Sequence, residues 1–458
     1  MQRGAGAWMW SDEAEHHGSS IVALVGRPNV GKSTLFNRLV GRRHSIVDDQ
    51  PGLTRDRIYG LTDWQGTLFT VVDTAGLVTD EHEPDILLRA MQSQSHRVLD
   101  DADVICFMID VRDGITREDE EIAELLRKLA KPLILVANKG ESRTPDITDC
   151  YRLGFGEPIV ISALHGQGTG DLLDEVIDRL PEQSESGEAA SVEYAFAIIG
   201  RPNVGKSSIL NALVGDERSL VSPIAGTTRD AIDTIIEIGG ERIRLVDTAG
   251  IRKHGAVSSN AEQYSVLRAL RALQHCDVAI LVIDANEGVV SQDRHVAGYA
   301  IDAGKGVVLV ANKWDLLEQE TREDPAFLNL LRHDFSFIPG TPIVTASALE
   351  GRNLLKILEA ARNVAESRRT HMPTHMLNDL IRDAVAAHPP TISRGRRLKI
   401  LYATQAEANA PTVVLFVNDP ELVHFSYLRY LENRIRSVFA FPGVRIHFTV
   451  RKRHADET

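Results

Sequence analysis

The chain has 458 residues, 43% of them hydrophobic, and a formal net charge of −13. That length suits about three domains of roughly 150 residues, and the acidic balance excludes a protein that coats nucleic acid over its whole surface. No apolar stretch approaches the ~18 residues needed to cross a membrane, and Cys106, Cys150 and Cys276 lack disulfide or metal spacing, which suits a reducing cytosol.

Residues 1–20 contain Trp8 and Trp10 but no signal-peptide core, and acidic Asp12, Glu13 and Glu15 follow at once. They are expected to form a flexible tail. The apolar run Ile21–Val25 predicts a strand and Thr34–Val40 a helix. Between them stands Gly26-Arg-Pro-Asn-Val-Gly-Lys-Ser33, a phosphate loop of the G-x-x-x-x-G-K-[ST] type. Backbone N–H groups from Gly26 to Gly31, Asn29 and Val30 included, would converge on phosphate oxygens. Lys32 would reach the β- and γ-phosphates, Ser33 would place a hydroxyl on Mg²⁺, and Thr34 would open the helix whose dipole favours the anion.

Thr54 follows in Pro51-Gly-Leu-Thr-Arg-Asp56. A hydroxyl arriving from a mobile loop would complete the Mg²⁺ shell only when the γ-phosphate is present. The strand Leu68–Val72 ends in Asp73-Thr-Ala-Gly76, which places a carboxylate beside Mg²⁺ and the Gly76 N–H near the γ-phosphate. Leu77 stands where a Gln orients the attacking water in Ras-like enzymes. Strand Val104–Ile109, helix Arg117–Leu129 and strand Leu133–Ala137 lead to Asn138-Lys139-Gly140-Glu141. In such a motif a carboxylate accepts both guanine N1–H and N2–H₂, which adenine cannot offer. Glu141 is one methylene longer than the usual Asp; preserved guanine binding and altered selectivity both stay open. Ser162 and Ala163 would supply loop contacts to the base.

The acidic segment 181–193 reads as a linker. Then the series recurs. The octapeptide returns unchanged as Gly200 to Ser207, between strand Ala195–Ile199 and helix Ser208–Val214. Gly200, Asn203, Val204, Gly205, Lys206, Ser207 and Ser208 take the parts of their counterparts. Thr228 stands as far past Ser207 as Thr54 stands past Ser33. Strand Ile243–Val246 runs into Asp247-Thr-Ala-Gly250, again at the first copy's distance from the loop, with Ile251 at the water position. Strands Val278–Ile283 and Val307–Ala311 precede Asn312-Lys313-Trp314-Asp315, still in step with the first copy. Ser347 and Ala348 close the series but fall out of step by eleven positions, an excess whose candidate location is Gln319–Asp324. Strands alternating with helices predict parallel sheets. Arg55 and Arg229 follow the switch Thr and are expected to be solvated or paired with Asp56 and Asp230, approach to phosphate being the alternative. Arg252, Lys253 and His254 are either exposed switch residues that meet a partner or residues with no role.

After helix Leu354–Glu366 the rhythm changes. A helix at Thr374–Ala387, a Pro389-Pro390 break, strands Leu398–Thr404 and Thr412–Val417, helix Ser426–Val438 and strand Val444–Val450 predict a small α+β domain. From Glu366 onward 14 Lys and Arg stand against 9 Asp and Glu, so this module is basic on an acidic body. Arg394, Arg396, Arg397, Lys399, Arg451, Lys452 and Arg453 form its clusters. It lacks a G-x-x-G loop, so KH-type RNA clamping through that loop is not expected. A solvated charged face is the alternative to RNA contact.

Two such motif series followed by a small C-terminal domain resemble the Der (EngA) family of double-Era-like GTPases. The stretches Arg396–Gln405, Phe416–Pro420 and Tyr427–Arg434 resemble its KH-like domain, and the likeness runs from about Ile21 to about Arg453. The resemblance implies an α/β architecture: P-loop GTPase domains at 21–180 and 194–366, each a mostly parallel sheet with helices on both faces, and a KH-like domain at 367–458. It implies GTP and GDP with Mg²⁺ as ligands, and a bacterial, cytoplasmic, monomeric GTPase that assists assembly of the large ribosomal subunit and meets its RNA, with neither DNA nor membrane as partner. Asn29 and Asn203 resemble the phosphate-loop Asn through which related GTPases bind K⁺; a loop brace is the other reading. The competing functions are a signalling switch acting on protein effectors and a GTPase coupled to tRNA modification. The latter often carries a C-terminal Cys, and none follows Cys276.

Overall fold

The computed structural model describes residues 20–40, 59–65, 67–74, 99–100, 102–141, 147–181, 192–215, 220–225, 232–238, 240–246, 248, 261–393, 396–406 and 410–452. They belong to two compact units, Met1–Glu185 and Ser186–Thr458. The expected tail, apart from Ser20, and most of the expected linker lie outside the described residues. So do Thr54, Gly76, Thr228, Asp247 and Gly250, with Arg55, Leu77, Arg229, Ile251 to His254, Arg394 and Arg453.

The first unit runs β1 (Ser20–Val25), α1 (Lys32–Val40), β2 (Tyr59–Trp64), β3 (Thr67–Asp73), β4 (Val104–Asp110), α2 (Arg117–Lys128), β5 (Leu133–Asn138), β6 (Ile159–Val160) and α3 (Thr169–Arg179). The sheet order is β2-β3-β1-β4-β5-β6, and β2 alone runs antiparallel to its neighbour. Every residue of β1 and β4 is buried, as continuous apolar strands covered on both faces must be. Because β3 and β4 flank β1 on opposite sides, the strand order switches there, and a ligand crevice opens at the strands' carboxyl ends.

The second unit repeats the plan. It runs β7 (Tyr194–Ile199), α4 (Lys206–Val214), β8 (Leu220–Ala225), β9 (Ile232–Ile238), β10 (Glu241–Val246), α5 (Ala261–Gln274), β11 (Val278–Asp284), α6 (Ser291–Asp302), β12 (Gly306–Asn312), α7 (Gln319–Glu323), α8 (Pro325–Asp334), β13 (Ile343–Thr345) and α9 (Leu354–Arg368), with sheet order β13-β12-β11-β7-β10-β9-β8. Alternation along β7 divides the core. Phe196 and Ile198 pack with Leu210 of α4 and Ile357 of α9, whereas Ala197 and Ile199 pack with Leu273 of α5 and Val296 of α6. Helices therefore cover both faces, as expected.

The excess length of the second copy is helical. Where the first unit has a 3-10 turn, Thr148–Leu153, the second has α7 and α8. Asp324 caps α8 through the Ala326 N–H at 2.7 Å, Pro325 occupies its first turn, and Phe327 meets the Trp314 ring edge-on at 5.4 Å.

The C-terminal module continues with α10 (Thr374–Ala387), a hairpin of β14 (Ile392–Ser393) and β15 (Arg396–Arg397), β16 (Ile400–Ala406), β17 (Thr412–Val417), α11 (Phe425–Arg436) and β18 (His447–Lys452). The hairpin was not expected. β16 pairs antiparallel with β17, and β17 parallel with β18. One apolar cluster joins Ile357 and Val364 of α9 to Leu377, Ile381, Val413, Leu431 and Phe441 of the module. The Val307 N–H donates to Gly443 O at 2.8 Å, and Arg368 Nη1 pairs with Asp277 at 3.0 Å. No described helix is long and apolar enough to cross a membrane.

Candidate nucleotide-binding sites

In each copy the phosphate loop leaves the buried strand and turns through left-handed backbone at an Asn, Asn29 (φ 65°) or Asn203 (φ 65°), before the helix begins at Lys32 or Lys206. The loop glycines answer to packing as well as to phosphate approach. A Cβ on Gly26 would collide with Met108 O of β4, and one on Gly31 with the Asn138 side chain; Gly200 and Gly205 stand in the same relation to Val282 O and Asn312. Both glycines of each loop also have positive φ.

Lys32 Nζ donates to Gly26 O at 2.7 Å and Arg27 O at 2.8 Å, and Lys206 Nζ to Gly200 O at 2.8 Å and Arg201 O at 2.5 Å. Burial lowers both ammonium pKa values to about 8. Ser33 Oγ donates to Asp73 Oδ2 at 2.5 Å, bringing together the two side chains expected at Mg²⁺. These are hard oxygen donors of the kind Mg²⁺ takes while sharing phosphate oxygens and water, and among the described residues no cluster of three His, Cys, Asp or Glu offers a self-sufficient cage. Thr74 Oγ1 donates to Leu24 O at 2.7 Å, and its counterpart Thr248 shares a 2.7 Å hydrogen bond with Thr234.

The base-recognition motifs lie beside the loops. Asn138 Nδ2 donates to Val30 O at 2.7 Å while its Oδ1 accepts the Ala163 N–H at 2.9 Å; Asn312 does the same with Val204 O at 2.8 Å and the Ala348 N–H at 3.2 Å. One amide thus fastens the phosphate loop to the Ser-Ala loop. Lys139 and Lys313 are themselves left-handed and pair at 2.5 Å with Asp110 and Asp284, the last residues of β4 and β11.

The carboxylates differ. Glu141 accepts the Ser162 hydroxyl at 2.9 Å and pairs with Arg112 at 2.5 Å, contacts that hold its pKa below the usual range, the Ser162 bond first. The Asp315 carboxylate has no hydrogen bond or ion pair among the described residues, and Asn286 stands where Arg112 would be.

Other contributors escaped motif reading. Arg27 pairs with Asp113 at 2.6 Å and approaches Asp119 at 3.4 Å; Arg201 pairs with Glu287 at 3.1 Å and Asp293 at 3.0 Å. Asp119 and Asp293 are 0% exposed and also receive the backbone N–H that opens α2 or α6, from Thr116 at 3.0 Å and Val290 at 3.1 Å. The available signal was their separation, which equals that of the two phosphate loops. Arg38, which donates to Ala163 O and Leu164 O, has none: Ala212 stands at its counterpart.

This fold with two motif-complete loops defines a tandem P-loop GTPase. Residues 21–139 and 195–313 match the family described as 50S ribosome-binding GTPase, and 371–451 match the KH-domain-like C-terminal domain of EngA bacterial GTPase enzymes. GTPase Der of Chloroflexus aggregans is 48% identical over 445 residues, covering 95% of this chain and 99% of that protein. GTPase Der of Ligilactobacillus salivarius is 48% identical over 436 residues (94% and 99%), and that of Brevibacillus brevis 46% over 438 (95% and 100%). The chain belongs to the GTPase Der family and is a GTP hydrolase.

Proposed function

We propose that the chain is a nucleotide-controlled assembly factor for the large ribosomal subunit, acting as a cytoplasmic monomer. The observation that supports it most is the duplication of one intact geometry: in both copies a phosphate-loop Lys bonded to two loop carbonyls, a loop-fastening Asn and a Lys–Asp pair stand at the carboxyl ends of matching strands. The family described as ribosome-binding agrees with the basic C-terminal module.

In this reading Lys32 and Lys206 hold the β- and γ-phosphates and neutralise charge that develops on them. Ser33 and Asp73, and Ser207 and Asp247, hold Mg²⁺ with Thr54 or Thr228. The Gly76 and Gly250 N–H groups face the γ-phosphate. Glu141 and Asp315 take the guanine edge between the Asn–Lys and Ser–Ala segments. Leu77 and Ile251 cannot orient water; Asn29 and Asn203 would hold K⁺, which would neutralise charge developing on the phosphates. Both Asn side chains are exposed and make no hydrogen bond among the described residues, which speaks for a cation ligand over a loop brace.

One experiment tests the reading. Ribosomal subunits are sedimented with the protein in GTP, GDP or no nucleotide, and GTP turnover is measured in parallel in K⁺ and in Na⁺. Nucleotide-dependent association with the large subunit and faster turnover in K⁺ are expected. Absence from particles in every nucleotide state would favour a signalling switch, and equal turnover in the two salts would remove K⁺.

A further inference from the structure

The C-terminal sheet has one covered and one open face. Ala403, Val413, Leu415 and Val417 turn toward α10 and α11 and are fully buried. The alternate positions point the other way; Val414 is still buried there, and the face opens toward Phe416 and Tyr402. Tyr402 of β16 pairs in register with Phe416 of β17, and Phe416 with Arg451 of β18, so these three form one row across the open face. The two rings are 5.3 Å apart, tilted by 34°.

A bulge builds this row. The register shifts between Ile400 and Tyr402, returning Ile400 to the covered face opposite Val417. Leu401 and Tyr402 are both left outside, 47% and 43% exposed. An aromatic ring this exposed at a bulge adds little to the core. The Tyr402 hydroxyl makes no hydrogen bond among the described residues.

The charge at the same end is mostly basic, with Asp419 and Glu421 the carboxylates that follow β17. Arg397 and Lys399 lead into β16, and Arg451 and Lys452 end β18; all four are exposed. None is in an ion pair among the described residues, whereas nearby Arg396 is tied to Asp419 at 2.7 Å. No carboxylate occupies a paired position of the open face. An exposed Tyr402 ring against a half-buried Phe416, beside unpaired cations, fits a polyanion that also offers flat apolar surfaces. Single-stranded RNA has that chemistry; a duplex hides its bases. The module's missing G-x-x-G loop leaves RNA contact to some other surface.

We propose that this open face binds a short single-stranded RNA segment, stacking an unpaired base on Tyr402 and Phe416 and receiving its phosphates on Arg397, Lys399 and Arg451. The inference rests on the ribosomal reading above and supplies its contact surface.

The test uses the full chain and a fluorescent oligouridine of about ten nucleotides, with an RNA duplex as competitor. Tyr402→Ala is expected to weaken oligouridine about tenfold and Tyr402→Trp to preserve it, stacking on an aromatic being worth ~1–3 kcal/mol per base. Salt dependence separates the two kinds of contact. Tyr402→Ala should leave the slope of log affinity against log salt unchanged, while Lys399→Ala with Arg451→Ala should flatten it by about 1.4, at ~0.7 per phosphate contact on a single strand. Unchanged oligouridine affinity in Tyr402→Ala, or equal competition by duplex, overturns the proposal. Oligouridine binding that survives Tyr402→Ala while particle binding is lost would place a ribosomal protein on the face and likewise overturn it. If Tyr402→Ala changes neither oligouridine nor particle binding, the sheet face is wrong and the assembly reading stands; if the unaltered chain binds no particle, that reading fails too.

Discussion

Burial opposes charge at Lys32 and Lys206, and nucleotide phosphate reverses that balance. With pKa values lowered to about 8 by desolvation, each ammonium in the free protein loses its proton as pH rises through 8. Bound polyphosphate favours the charged form, so the bound pKa lies higher and binding takes up a proton in that window. Nucleotide affinity should therefore be flat below about pH 7 and weaken above pH 8, approaching tenfold per unit at each site. Calorimetry at pH 8 to 9 in buffers of different ionisation heat would read the uptake; affinity that is flat or rising across that range would contradict it. Lys206→Ala should remove the trend from the second site alone. These lysines were legible because motif and spacing name them. Asp110, Asp119, Asp284 and Asp293 carry no motif of their own, yet the interval between the two phosphate loops repeats them. Arg112 and Arg38 have no such echo, because they act through contacts made only after folding.

At the level of elements, a guanidinium–carboxylate clamp ties each phosphate loop to the start of a neighbouring helix. In the second copy Arg201 Nε reaches both oxygens of Asp293, at 3.0 and 3.2 Å, while Asp293 also accepts the Val290 N–H that opens α6. Desolvation raises the Asp293 pKa, so the pair persists through the charge of Arg201 and that N–H. Losing Arg201 leaves the fully buried Asp293 without its guanidinium, at a cost of about 3–5 kcal/mol, and losing Asp293 leaves Arg201 only the exposed Glu287. Asp293→Ala should lower the urea midpoint of the second unit and weaken its nucleotide binding. Glu287→Ala, which removes a partner 57% exposed, should cost less than about 1 kcal/mol. Equal effects of the two substitutions would argue against a clamp centred on Asp293. The core strands were legible as apolar runs because both faces are buried. β2 and β9 were not, since Tyr-Gly-Leu-Thr-Asp-Trp and Ile-Asp-Thr-Ile-Ile-Glu-Ile mix polar residues into strands toward the sheet edge. β6 and β13, at two and three residues, are too short to show a period. The hairpin β14–β15 is held by two residue pairs and has no apolar alternation.

Across the molecule, sequence rhythm places a boundary near Glu366, yet the packing crosses it. Sequence shows where periodicity changes; it does not show that Val364 and Phe441 enter one core, since most of the C-terminal module separates them along the chain and nothing local in either forecasts the other. Their junction is the turn Phe441-Pro442-Gly443. Arg436 holds it by donating to Phe441 O at 2.9 Å and Val444 O at 2.7 Å. Gly443, at φ 67°, accepts the Val307 N–H at the start of β12, the strand that ends in Asn312 and leads into Lys313. A Cβ there would collide with Val307 O and crowd Val364. Valine at this position adds a β-branched side chain in left-handed backbone, worth about 1–3 kcal/mol of strain, to the lost backbone contact. Gly443→Val should therefore lower the unfolding temperature of the second unit and leave that of the first unchanged, as two calorimetric transitions would report. Ending the chain after Glu366 should go further, exposing Ile357 and Val364 and producing dye-binding apolar surface in the second GTPase domain. If that shortened chain instead unfolds at the parental temperature with no such surface, α9 does not depend on the module. Guanine recognition in the second copy would then stand apart from the C-terminal domain, and the Val307–Gly443 bond would be a contact without mechanical consequence.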